Sequence, residues 1–309
     1  MIVIPLSLTY DSEAIQDGLG AQILRKVAIR AVSKFFRIGY VDSKIEKIHV
    51  HQLDSAQTRV EIEAYLERVN GIFRFEDAGI TKFDEVHRIH DLSRRALLKY
   101  WFKSLLVRRK ILLRVTIPFY FTNNNPRIFH KITRLMPNFE SRESNRNPKI
   151  VIHFRAGVNQ NFIDPGKSET RFIAFDFFEN QVLQVLESNP DSNFDICLLT
   201  DAPPERFEYI PLPEQIILWE RSGFVIEKNS IMVEPLDLSS SKLKHYERFS
   251  VVYGGDPLEA LKEMASADYL FMSRSTLSFL GGLLNKSGKV IYPPRFGMTP
   301  MKNWLSKAE

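Results

Sequence analysis

Between Ile150 and Tyr292 short apolar runs alternate with amphipathic stretches of helical length, and this alternation restricts the chain more than any other feature. Ile150–Phe154, Phe194–Thr200, Ser250–Tyr253, Tyr269–Met272 and Lys289–Tyr292 read as strands. Asp176–Ser188, Pro257–Ala267 and Leu277–Asn285 read as the helices between them. Strands that each follow a helix pair in parallel, because a parallel return needs a crossover of helical length. Helices then cover both faces of the sheet, and ligands bind beyond the carboxyl ends of the strands.

The N-terminal half starts in the same way. Ile2–Leu8 reads as a strand, Asp17-Gly18-Leu19-Gly20 as a glycine turn and Gln22–Arg37 as an amphipathic helix. In that helix Ile23, Val27, Ala31 and Phe35 form one apolar row and Leu24, Ala28, Val32 and Phe36 the next, with Arg25, Lys26, Arg30, Lys34 and Arg37 outside both. The stretch from about Ala56 to Leu135 reads as mostly helical. Glu140–Lys149 is polar and carries a proline, which marks a linker. The expected domains are 1–145, with a helical insertion, and 146–309. A length of 309 residues suits two cores better than one.

With 42 Lys and Arg against 37 Asp and Glu, the net charge is +5, which suits an anionic ligand. A dedicated nucleic-acid binder carries a denser basic stripe, so no nucleic-acid partner is expected. The single cysteine, Cys197, lies in an apolar strand and reads as a small core residue in a reducing compartment. MIVIPLSLTYDSE has neither the basic nor the long apolar region of a secretory leader, and no run reaches the ~18 apolar residues of a spanning helix. The expected location is cytoplasmic. Arg94–Arg114 combines many basic residues with Trp101-Phe102 and no acid, so a peripheral contact with the inner membrane face through residues 94–114 is an additional expectation.

Two segments carry chemistry. His153-Phe154-Arg155-Ala156-Gly157 runs directly out of a strand and delivers a guanidinium to the sheet edge, where its planar fork matches phosphate oxygens. Gly157 permits a close backbone turn there. Ser273-Arg274-Ser275-Thr276 lies between a strand and a helix, and the N–H groups of such a helix start favour an anion. Gly281 and Gly282 would seat that helix close to its sheet. Asp256-Pro257-Leu258-Glu259 is fully accounted for as a helix start. Gly166-Lys167-Ser168 lacks the earlier glycine of a phosphate-binding loop. His49, His51, His87 and His90 lack acidic or cysteine companions at ligand spacing, so no metal site is expected.

Taken in order, these segments resemble the fucosyltransferase superfamily that contains α1,2-, α1,6- and protein O-fucosyltransferases. Gly18-Leu19-Gly20-Ala21-Gln22 resembles its N-terminal glycine loop, His153–Gly157 its H-x-R-x-G motif, and Arg171–Glu179 the entry to the next helix. Leu198–Ala202 sits where that family has a strand ending in Ser/Thr-Asp, and Asp256–Leu284 resembles its long C-terminal block. The resemblance implies an α/β GT-B fold, two Rossmann-like domains facing each other across a cleft. It implies an inverting, metal-independent glycosyltransferase without a cofactor, moving fucose from GDP-fucose to a glycan or lipid-linked glycan in glycan biosynthesis. The N-terminal domain would hold the acceptor and the C-terminal domain the nucleotide sugar. Arg155 would stabilise the departing diphosphate. His153, Gly157, Asp201, Asp256, Ser273, Arg274, Ser275, Thr276, Ser278 and Phe279 would bind the donor, and Gly18, Gly20 and Gln22 would line the cleft. Ala21 stands where the family usually has Asn, Ala156 where a second Arg is frequent, and Phe279-Leu280 where tryptophans are common. Those departures leave open a transferase with another donor, or a non-catalytic nucleotide-sugar or glycan binder.

Overall fold

The computed structural model describes residues 5–13, 18–48, 59–76, 79, 82–118, 125–139, 146–156, 173–210, 231–294, 296 and 298–306. The chain divides into two compact units, residues 1–138 and 139–309.

The first unit contains β1 (Leu6–Tyr10), α1 (Leu19–Phe36), β2 (Gly39–Tyr40), α2 (Arg59–Ile72), β3 (Glu85–Asp91), α3 (Arg94–Leu106), β4 (Ile111–Ile117) and α4 (Pro126–Leu135). Its strands form one parallel sheet in the order β2-β1-β4-β3. Helix α1 packs against β1 and α4. It has no side-chain cap; Gly18 accepts instead, its carbonyl taking the Ala21 N–H at 3.1 Å. The helix ends at Arg37, which adopts a left-handed φ of 56°.

Three expectations for this unit need correction. Gly20 lies inside the first turn of α1 rather than in a loop. Arg25 and Lys26 are buried rather than solvent-facing. Lys26 meets Asp42 at 3.1 Å, and Asp42 also accepts from the Tyr40 hydroxyl at 3.0 Å, so the buried cation is balanced. Burial lowers the Lys26 pKa and Asp42 opposes that shift. Finally, residues 56–135 hold strands as well as helices: β3 and β4 lie between α2 and α4. Ile111, Leu113 and Val115 are fully buried at the centre of the sheet. The apolar run Ile111–Val115 fits a helix or a buried strand equally by periodicity. The edge strand β3 has an exposed face, including Val86 and Arg88, so its sequence lacks the apolar run of an interior strand. Between α3 and β4 the chain turns through Arg108, whose φ is 49°.

The second unit runs through β5 (Lys149–Phe154), α5 (Phe175–Glu187), β6 (Asp195–Thr200), β7 (Phe207–Tyr209), β8 (Ile231–Val233), β9 (Phe249–Tyr253), α6 (Pro257–Ser266), β10 (Tyr269–Phe271), α7 (Thr276–Leu284), β11 (Lys289–Tyr292) and β12 (Leu305–Ser306). Its main sheet is parallel in the order β12-β11-β10-β5-β6-β9, and β7 and β8 form a separate antiparallel pair.

Alternation along β5 sends Ile150, Ile152 and Phe154 into a core with Phe178 and Val182 of α5 and with Ile196 and Leu198 of β6. Val151 faces the other way and is equally buried, as expected of a central parallel strand. Cys197 is buried on β6, where desolvation raises its thiol pKa. Helices α6 and α7 pack closely. A Cβ on Gly281 would meet the Met264 Cβ at 2.8 Å, so this glycine lets two helices approach rather than a helix and a sheet. The facing side of α7 packs Phe279 against Trp304, with ring centroids 5.2 Å apart.

Candidate anion site at the carboxyl edge of the second sheet

β5 connects through α5 to β6 on one side, whereas β10 connects through α7 to β11 on the other. Adjacent strands β10 and β5 thus carry their connections in opposite directions. Such a switch point opens a crevice at the carboxyl ends of the two strands. At those ends lie His153-Phe154-Arg155-Ala156, in which β5 finishes at Phe154, and Ser273-Arg274-Ser275-Thr276, which leads from β10 into α7.

Strand period places His153 and Arg155 on the face opposite Phe154. His153 Nδ1 lies 2.7 Å from Ser273 Oγ. Burial, and then the Arg155 charge, push the His153 pKa down to about 3, so the ring is neutral at physiological pH. It therefore holds Ser273 by a hydrogen bond and adds no charge. Arg155, with a side chain 15% exposed, donates from Nη1 to Ser275 Oγ at 3.4 Å. Ser275 caps α7, its Oγ accepting the Leu277 N–H at 3.3 Å. A guanidinium is thus directed at the positive end of a helix, two like-signed groups whose juxtaposition favours an anion between them.

Asp201, directly after β6, supplies the local negative charge. Its Oδ1 accepts the Ala156 N–H at 2.7 Å and its Oδ2 lies 3.9 Å from Arg155 Nε. Desolvation raises the Asp201 pKa, and Arg155 and the Ala156 amide oppose it. The acid fixes the loop that carries Arg155.

The structure therefore gathers His153, Arg155, Asp201, Ser273 and Ser275, with Thr276 opening α7. Other expected donor residues make structural contacts of their own. Ser278 is fully buried and its Oγ accepts the Ser273 N–H at 3.1 Å, which fixes the loop from behind. Arg274 is buried and donates from Nε to the Pro294 carbonyl at 2.8 Å, on the β11 side. Phe279 is fully buried in the α7 core, a correction to its expected place in the pocket. Asp256 caps α6 through the Leu258 N–H at 2.8 Å and follows β9, two strands from β5. Gly157 and Arg171 lie outside the described residues, as do His49, His51 and Gly166-Lys167-Ser168.

In the first unit, Gln22 is fully buried; its Nε2 donates to the Lys47 carbonyl at 2.6 Å and its Oε1 accepts from the Tyr10 hydroxyl at 3.3 Å. With Gly20 in the helix and Gly18 at its cap, this segment builds α1. Among the described residues no three His, Cys, Asp or Glu side chains form a metal-binding group. No described helix is long and apolar enough to cross a membrane.

Two features escaped the sequence reading. Gly254 and Gly255 have φ of 65° and 92°, and the Gly254 N–H bonds the Thr200 carbonyl at 2.8 Å, turning the chain from β9 to Asp256. Consecutive glycines after a strand were a visible signal for this turn. At the carboxyl end of β1, buried Asp11 meets Arg114 at 3.1 Å and Arg88 at 3.3 Å, and Glu13 joins both arginines. Glu13 is held below its usual pKa, chiefly by Arg114. These partners are far apart in sequence, so no local pattern announces them.

No protein-family model and no curated protein matches the sequence. Among solved structures, the Escherichia coli heptosyltransferase WaaC with ADP-2-deoxy-2-fluoro heptose is 8% identical with a TM-score of 0.39, over 98% of this chain and 92% of that one. The α-1,6-fucosyltransferase NodZ soaked with GDP-fucose is 8% identical with a TM-score of 0.38, over 95% of this chain and 96% of that one. A selenomethionine form of NodZ from Bradyrhizobium is likewise 8% identical, with a TM-score of 0.37 over 90% and 91% of the two chains. Scores this low fix neither family nor ligand, and the assignment of an α/β chain with two parallel sheets rests on its own strand order.

Proposed function

We propose that this chain is a glycosyltransferase of GT-B type that binds a nucleotide-diphosphate sugar at the carboxyl edge of its second sheet. The motif order favours GDP-fucose as donor and a glycan or lipid-linked glycan as acceptor. One observation carries the reading: at the switch point between β10 and β5, Arg155 reaches the N-cap of α7. A diphosphate there would be held by the guanidinium fork and by the first N–H groups of α7. As the glycosidic bond breaks, negative charge grows on the departing diphosphate, so both contacts strengthen in the transition state. Neutral His153 and Ser273 shape the pocket beside it, and Asp201 keeps the Arg155 loop in place. These groups supply leaving-group stabilisation from the chain itself, which supports transfer without a metal ion.

The test has two stages. A thermal-shift screen against GDP-, UDP- and dTDP-sugars should select GDP-fucose. GDP release with acceptor glycans present should then continue in excess EDTA. Stabilisation by none of the sugars defeats the proposal, and activity restored to a chelated sample only by Mn²⁺ or Mg²⁺ defeats its metal-independent form. A non-catalytic nucleotide-sugar binder is the second reading. It is favoured by Ala156, which is fully buried with its amide bonded to Asp201 and stands where the resembled family often has a second arginine. Stabilisation by GDP-fucose with no GDP release across an acceptor panel would select it.

A further inference from the structure

Helix α3 inverts the usual surface pattern. Its inner side is anchored by Leu97 and Ser104, and Tyr100 packs on His87 of β3 with ring centroids 4.7 Å apart. On the outer side Leu98, Phe102 and Leu106 follow one another at i, i+4 and i+8, so they form a continuous stripe about 12 Å long. They are 44%, 54% and 84% exposed, and Val107 beyond the helix end is 50% exposed. A solvent-facing helix side is ordinarily polar, and isolated apolar residues there need no explanation, but an aligned row does.

The charged residues of α3 and its carboxyl end have one sign. Arg94, Arg95, Lys99 and Arg108 are exposed, and Arg94 to Arg109 contains no Asp or Glu. Lys103 and Arg109 are drawn off by Glu85, which contacts both. Among the described residues no acidic side chain pairs with Arg94, Arg95, Lys99 or Arg108. The stripe is a convex ridge on one helix rather than a groove. A second copy docked isologously would oppose these cations to themselves, which is repulsive.

We propose that the outer face of α3 seats the chain on an anionic lipid surface, with Phe102, Leu106 and Leu98 entering the headgroup boundary and Arg94, Arg95, Lys99 and Arg108 meeting lipid phosphates. Such a ridge fits the interfacial mode, in which apolar insertion and basic attraction act together. The inference does not depend on the chemistry of the second unit.

Flotation of the full chain tests it, using vesicles of phosphatidylcholine alone and of phosphatidylcholine mixed with phosphatidylglycerol. Binding should require phosphatidylglycerol and weaken with salt. Phe102→Ser combined with Leu106→Ser, and separately Arg95→Gln combined with Lys99→Gln, should each weaken it on the order of tenfold with the melting temperature unchanged. All four side chains are exposed, so folding should survive; if the apolar pair fails to fold, the charge pair decides alone. Equal binding to both vesicle types, absence of binding, or binding unchanged in the variants overturns the proposal. A concentration-dependent dimer that Phe102→Ser dissolves, without phosphatidylglycerol-dependent flotation, overturns it in favour of a second copy.

Discussion

Replacing Arg155 by alanine removes the guanidinium that reaches Ser275 and leaves the cap of α7 in place. The magnitude follows from the site. A unit charge about 4 Å from a phosphate oxygen, at an effective dielectric of about 20, interacts by about 4 kcal/mol. The Arg155 side chain is 15% exposed, so solvent screens it little, while Asp201 at 3.9 Å offsets part of its field. Loss of one preorganised donor of this kind typically costs about 3 kcal/mol, on the order of a hundredfold or more in rate. In the proposed reaction charge grows on the leaving group, so kcat should fall more than KM for the donor rises. Lysine should restore activity only in part, because it lacks the fork. Stability should change by about 1 kcal/mol or less, since Asp201 is the solvated partner, 36% exposed, and the pair is 3.9 Å apart. The assay is GDP release from GDP-fucose with acceptor, alongside thermal melting. An Arg155→Ala protein that melts normally and releases GDP at the wild-type rate refutes the role of Arg155 and the reading built on it.

Gly281→Ala should destabilise the second unit by about 1–3 kcal/mol in urea unfolding: alanine favours a helix by up to about 1 kcal/mol, but the new methyl meets the Met264 Cβ at 2.8 Å and overpacking wins. Unchanged or raised stability would show that α6 and α7 separate freely. Asp256→Ala should cost about 1 kcal/mol through the lost α6 cap and leave GDP affinity unchanged, whereas Asp256→Asn should preserve both; weaker GDP binding by the Asn variant would give this acid a ligand role after all. Glu85 is held down to about 2 by Lys103 first and then His87 and Arg109, against an ordinary 4.5. A depressed carboxylate pKa stabilises the fold above pH 4.5, and that contribution fades as pH falls from 4.5 toward 2. The melting-temperature gap between wild type and Glu85→Gln should therefore stay level from pH 6 to about pH 4.5 and narrow from there to pH 3. A gap independent of pH would show that Glu85 is not ion-paired in the fold.

Within residues 150–292 the strands of the main sheet and their helices were legible because their patterns are local, whereas the antiparallel pair β7 and β8 was not read. A strand buried on both faces is apolar along most of its length, as Ile150–Ile152 and Phe154 are, and a crossover helix shows its own period, as Asp176–Ser188 does. Observed boundaries there lie within about a residue or two of expectation, the usual uncertainty of element ends. The cap of α6 was legible for the same reason, since Asp256 acts on an amide two residues away; for α7 both Ser273 and Ser275 were candidates, and the structure selects Ser275. The strands at 85–91 and 111–117 were not legible. Ile111–Val115 is central only because β1 and β3 flank it, and β3 looks polar only because it ends the sheet.

The same division runs through the candidate site. Sequence by itself determined that Arg155 leaves a strand and that a helix starts within Ser273–Thr276, since both follow from residue types read over a few positions. Tertiary structure decided that they meet, because 120 residues separate them and only the order β10-β5-β6 makes their strands neighbours. It also decided which flanking residues face elsewhere: Phe279 and Ser278 lie on the buried side of α7, and Arg274 is held by Pro294. A helix period predicts that a face exists, but what covers it depends on elements remote in the chain. For that reason the outer face of α3 carries Phe102 and Leu106 into solvent while Lys26 of α1 is enclosed beside Asp42.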